Sequence, residues 1–270
     1  MSEVTRQQRR REARERIKVG RHLLGHGLPL QPRTSEIVAI AQVVKAKLDE
    51  AGNDRRASEA AELAQTLAET SLAARPSTQQ KIACTRGCSY CCHTFVAITP
   101  PEVFRLAAAV RAGHAAGMAP DVVRERGRAQ IGVSPEARIG GKLACPLLVD
   151  GGCSVYRFRP LVCRQATSLD VAVCIDEYEG RNLNAQIPIS GVHLQHASNA
   201  HITLLGAMRA MGFATDALEL AAALDAALAV PDAEARWLKG EDVFASAPRQ
   251  VKREARLEQA ISHVAAALAS

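Results

Sequence analysis

Four cysteines within nine residues, Cys84, Cys88, Cys91 and Cys92, are the densest chemistry in this 270-residue sequence. Four more, Cys145, Cys153, Cys163 and Cys174, follow within one thirty-residue stretch, and the first 83 and last 96 residues contain none. Thiolates are soft ligands for zinc and for iron–sulfur clusters. At 100° per residue, Cys84-x3-Cys88-x2-Cys91-Cys92 would occupy one face of a helix, and a tight loop at Gly87 would gather the thiols equally well. A single free cysteine buries well as a small apolar residue, but four so close have little use in a core. Metal or cluster binding is expected.

Which metal is open from spacing alone. Zinc knuckles usually pair C-x2-4-C elements some distance apart. Three cysteines spaced C-x3-C-x2-C can hold three irons of a cubane cluster, with a fourth ligand from elsewhere. Cys91 and Cys92 are neighbours whose side chains diverge, so one of them serves a second metal or stays a free thiol. The spacing is also similar to the cluster motif of radical S-adenosylmethionine enzymes. Those place it after the first strand of a β/α barrel, whereas the 180 residues that follow here lack alternating strands and helices. That reading is set aside.

The second set lies in CPLLVDGGCSVYRFRPLVCR, residues 145–164. A ribbon turning at Asp150-Gly-Gly brings Cys145 near Cys153, and a turn of helix after Pro160 presents Cys163. Arg159 and Arg164 either hydrogen-bond local carbonyls or lend positive charge to an anionic thiolate centre. A cubane needs a fourth thiolate, so the two sets are expected to converge on one centre.

CTRGCSYCC together with this second motif resembles the CxxCxxCC family of zinc- or iron-chelating proteins, whose cysteine domain is similar to one in flagellin lysine-N-methylases. The resemblance covers about residues 82–180. It implies that Cys84, Cys88, Cys91, Cys92, Cys145, Cys153 and Cys163 form an iron–sulfur or zinc site, and it implies little about activity. Cys174 falls outside the shared motif and, in the apolar window VAVCID, reads as a packing residue. His93 adjoins the cluster and is within reach of it, while His193 and His196 read as surface or packing residues.

The elements that must position these groups are mostly helices. Hydrophobic residues are 47% of the chain but aromatics only 3%, so Ala, Leu, Val and Ile must fill the core, which favours packed helices. The expected fold is mainly α, with helical flanks around a compact cysteine-rich centre carrying a short β-ribbon. The organisation read from the sequence is a basic flexible arm (1–33), an N-terminal helical hairpin (34–80), the cysteine domain (81–180) and a C-terminal helical region (181–270). C-terminal helices are expected over 188–212, 215–229, 231–239 and 248–268.

The net charge of +6 resides in the arm: residues 1–33 hold nine basic and three acidic side chains, leaving 25 of each beyond. A contact between the arm and an anionic partner is the one functional reading of that charge. No apolar run of membrane-spanning length occurs, and the first residues lack an apolar signal core. A reducing, cytoplasmic setting is expected, in which clustered cysteines mean metal or redox chemistry rather than disulfides. Nucleotide-binding, nucleophile-elbow and P-loop signatures are all missing, so no enzymatic activity is legible. The expected function is a metal-binding protein with an iron–sulfur centre, most simply [4Fe–4S], acting in redox chemistry or assisting protein modification on an unidentified protein partner. The alternative is a structural zinc module without catalysis.

Overall fold

Alanine- and leucine-rich stretches dominate both flanks, and in a computed structural model, which describes residues 6–74, 81–85, 87–184, 186–250 and 253–269, they form helices. The fold is mainly α: twelve α-helices and five strands of two or three residues occur among the described residues. None of those helices is long and apolar enough to cross a membrane.

The longest buried helix is α9 (Gly191–Ala210), and α2 (Thr34–Leu48), α3 (Arg56–Ala73) and α12 (Ala255–Ala269) pack around it. Its Leu204, Leu205, Ala207 and Met208 have no exposed surface. Small alanines on α3, including Ala57, Ala60, Ala61 and Ala64, are equally buried and let the helices approach closely.

The basic N-terminal segment departs from the flexible arm read in the sequence. Arg6–His26 is a helix, α1, packed along α2 and α3. A Cβ added at Gly20 would sit 2.2 Å from the Ala39 carbonyl oxygen, so glycine is what permits this approach. Leu24 and Leu28 join the main core, and the Leu28 N–H donates to Ser71 Oγ (2.8 Å). The charge run hid a short apolar stripe that anchors the C-terminal half of the helix. Residues 1–5 of the arm and 75–80 of the hairpin lie outside the described residues.

The middle of the chain is built on two small antiparallel sheets. The first has the order β1 (Ala97–Ile98), β4 (Ala217–Glu219), β5 (Arg249–Gln250), with Ile98 opposite Leu218 and Ala217 opposite Gln250. It was not expected, because strands this short have no room for an alternating pattern. Helix α10 therefore starts at Leu220 (Leu220–Ala229) rather than near 215, and α12 begins at Ala255. Residues 251 and 252 of the expected last helix lie outside the described residues. The remaining C-terminal helix, α11 (Ala233–Leu238), falls inside its expected span.

The second sheet is the ribbon expected from Asp150-Gly-Gly: β2 (Leu148–Val149) pairs with β3 (Gly152–Cys153). Asp150 (φ 48°) and Gly151 (φ 72°) both take left-handed backbone, the conformation a two-residue hairpin turn demands.

Four short helices carry the rest: α5 (Pro120–Arg128), α6 (Pro135–Gly140), α7 (Leu161–Gln165) and α8 (Val171–Tyr178). Helix α4 (Pro100–Arg111) opens with proline in its first turn, where the missing N–H costs nothing. The fully buried Thr99 caps it, its N–H and hydroxyl both donating to Glu102 Oε2.

Candidate metal centre

The first cysteine segment is irregular rather than one helix. Cys88 N–H donates to the Thr85 carbonyl (3.0 Å), and Tyr90–His93 then forms a single 3₁₀ turn carrying Cys91 and Cys92. The second segment meets it directly: the Cys145 N–H donates to the Cys92 carbonyl at 2.7 Å. Cys153 faces Leu148 across the ribbon, and Cys163 sits in the first turn of α7. All eight cysteines are free thiols; Cys91 is exposed at the surface and the other seven are half-buried.

Two buried ionic groups set the second segment in place. Glu102 Oε1 accepts the Leu161 N–H (2.7 Å), so the carboxylate that caps α4 also caps the helix bearing Cys163. Arg138 and Glu219 are each only 2% exposed and pair at 3.0 Å. Arg138 also donates to the Gln130 and Val133 carbonyls, and Gln130 donates to the carbonyl of Ala144, the residue before Cys145. Glu219 in turn caps α10 through the Ala221 and Ala222 N–H groups. Sequence reasoning missed both groups, because an isolated Glu or Arg carries no motif.

Electrostatics separates the thiols. Cys92, hydrogen-bonded to Cys91, holds Cys91 below the usual thiol range, and nearby Arg159 pulls it the same way. The same hydrogen bond, together with burial, pushes Cys92 up. Burial raises Cys145 to about 12 and raises Cys163 further, with neighbouring cysteines adding repulsion. Burial also raises Cys153, which Arg159 partly offsets. These are thiols that a metal must deprotonate on binding.

Arg159 and Arg164 weight the two roles open to them in the sequence differently, although both favour the Cys153 thiolate. Arg164 is occupied locally: it donates to the carbonyls of Arg159 (2.9 Å) and Arg157 (3.0 Å) and pairs with Glu69 (2.7 Å). Arg159 stacks on Tyr156, 4.0 Å from the ring centroid, and its buried Nε–H has no hydrogen-bond partner. Its charge favours the thiolates of Cys91, Cys153 and Cys163.

Cys174 is not the core residue its apolar window suggested. No residue of α8 is buried, and the helix packs on the 3₁₀ turn Tyr90–His93. One turn of chain anchors Cys84 and Cys174 together. The Ser168 N–H donates to Cys84 Sγ (3.2 Å), and Cys174 Sγ donates to the Asp170 carbonyl (3.6 Å). Burial raises both Cys88 and Cys174; Cys84 and Cys91 repel each of them, and Cys174 also repels Cys88. His93 is buried, with Nδ1 donating to the Ser89 carbonyl and its ring against Tyr178. His193 bonds Ser190, and His196 is buried in α9.

The eight thiols therefore gather in one region. Among the described residues, no three Cys, His, Asp or Glu side chains stand as ligands to one ion. The donor set nonetheless fits a thiolate-held metal: soft sulfur ligands from two chain segments, a neighbouring guanidinium and backbone N–H groups.

Residues 83–184 match the family model described as "CxxCxxCC: Putative zinc- or iron-chelating domain". Neither the curated proteins nor the solved structures contain a match to the chain.

Proposed function

Because residues 83–184 belong to the CxxCxxCC zinc- or iron-chelating family, we propose that this protein holds an iron–sulfur centre of the [4Fe–4S] type. Its four ligands are drawn from Cys84, Cys88, Cys91, Cys92, Cys145, Cys153 and Cys163, three from the first segment and the fourth from the second, and Cys174 is an eighth thiol beside them. The observation that carries the reading is the junction of the two cysteine segments, where the Cys145 N–H meets the Cys92 carbonyl at 2.7 Å. Ligands from distant segments couple metal binding to folding.

An iron–sulfur centre supplies one-electron chemistry when bound. In this chain, Arg159 supplies positive charge beside it, and Glu102 and Arg138 hold the second segment in register. Electron transfer, directly or in support of a protein-modifying reaction, is the role this arrangement suits, in a reducing cytoplasm where the thiols stay free. Iron and acid-labile sulfide measured on anaerobically purified protein test the reading. Iron and sulfide in comparable amounts are expected. Zinc without sulfide points to a structural site, and the absence of any bound metal overturns the proposal.

A further inference from the structure

Helix α1 carries a row of cations that the fold itself does not use. Arg10, Arg11, Arg14, Lys18 and Arg21 are all exposed on it. At 100° per residue they fall within an arc of about 100°. That arc runs beside the stripe of Ile17, Gly20 and Leu24, which faces the rest of the protein. The two acids of the helix, Glu12 and Glu15, lie outside the arc. Lys18 pairs with Glu15 at 2.9 Å, and Arg11 favours the same carboxylate. Among the described residues, Arg10, Arg14 and Arg21 have no acidic partner. Arg10 and Arg14, and Arg14 and Lys18, are also like charges at i and i+4, which repel. The first turn of α1 holds no acid, although the helix dipole favours one there.

Independently of the metal reading, we infer that this stripe docks α1 on the phosphate backbone of duplex DNA, without reading its sequence. From Arg10 to Arg21 the helix rises about 16 Å, which spans roughly five phosphates of one strand at about 3.4 Å of axis each. Arginine suits phosphate, because its planar fork donates two parallel hydrogen bonds. A lipid surface is a poor fit. An interfacial helix must bury its apolar face in the membrane, and that face of α1 is already spent on α2 and α3. Single strands and RNA are read by aromatic stacking and by contacts to the 2′-hydroxyl. Helix α1 contains no Phe, Tyr, Trp, Ser or Thr, and the first Phe, Tyr or Trp of the chain is Tyr90. Evenly spaced charge on a straight rod is what the stripe offers, and duplex DNA is its complement.

The test is fluorescence anisotropy of the full-length, metal-containing chain with a labelled DNA duplex of about 20 base pairs, two helical turns. Affinity is expected to fall roughly 150- to 500-fold between about 50 and 200 mM salt, as four to five phosphates are neutralised. Two unrelated duplex sequences should bind alike. The triple variant Arg10→Gln, Arg14→Gln, Arg21→Gln should bind at least about tenfold more weakly, with a logarithmic salt slope shallower by about three. Removing the same charge at Arg128, Arg181 and Arg236, exposed arginines that are paired with acids, should change affinity less than about twofold. Lysine at positions 10, 14 and 21 should keep the salt slope, and its loss there overturns the inference. So does an unchanged affinity in the glutamine variant, or tighter binding to duplex RNA, poly-glutamate or phosphatidylserine vesicles. A chain that ignores duplex DNA at the lower salt overturns it outright and leaves the metal reading standing.

Discussion

The two sides of the cysteine region solve opposite problems with the same side chain. On one side, Cys145, Cys153 and Cys163 are carried by a ribbon and a helix whose neighbours are Leu147, Val155 and Leu161, each at most 2% exposed. On the other, Cys84, Cys88 and Cys174 hang on an irregular segment and a helix with no buried residue. Apolar packing fixes the first group whether or not a metal is present. The second group depends on a few hydrogen bonds around Ser168. Rigidity and access are thus divided between two sets of thiols whose nearest members in sequence, Cys163 and Cys174, are eleven residues apart.

The largest expected effect separates the two sides. Cys163→Ala or Cys145→Ala should strip most of the metal and lower the melting temperature of the chain, because the thiol is removed from beside the core. Cys174→Ala should remove only part of the metal and leave melting nearly unchanged. Metal analysis and calorimetry on the three variants check this, and equal losses in all three would erase the distinction.

Arg138→Met comes next. It leaves Glu219 buried without its partner, which costs about 3–5 kcal/mol. Chemical denaturation should register that loss, and metal retention should fall with it because Arg138 holds the loop before Cys145.

Glu102→Ala is expected to cost about 1–3 kcal/mol for the buried Thr99 and Leu161 donors it abandons. It should affect the packed side alone. Metal analysis should find part of the metal retained in this variant, and its complete loss would show that the two sides are one unit.

The smallest effect concerns charge. Arg159→Met should leave iron content unchanged and lower the reduction potential, since a nearby cation favours the more negative, reduced state. Arg164→Met should lower it less, because that guanidinium is bonded to carbonyls and Glu69 and favours only the Cys153 thiolate. Protein-film voltammetry distinguishes the pair.

Much of this division was legible in the residues, and some was not. The cysteine spacing, the Asp150-Gly turn and the helical flanks follow from local chemistry that a sequence displays. The flexible arm was misread because eight arginines and lysines before His22 outweigh the Leu24 and Leu28 that dock α1. The three-stranded sheet was invisible because its pairings join residues near 97, 218 and 249 through only two positions each. Cys174 was assigned to the core because VAVCID is apolar, yet that helix covers the turn Tyr90–His93 and stays half-exposed. Local pattern reports composition. It does not report which face meets a neighbour.

The bond between the Cys145 N–H and the Cys92 carbonyl also imposes an order in time. The chain between them contains α4, α5 and α6, and all of it must be made before the second segment can arrive. At translation speeds of about 5–20 residues per second, Cys145 emerges roughly 3–10 s after Cys92. Throughout that interval the nascent chain displays four adjacent thiols with no ribbon, no α7 and no Arg159 beside them. Metal delivered then meets an incomplete set of ligands, so correct loading belongs to the finished fold rather than to synthesis.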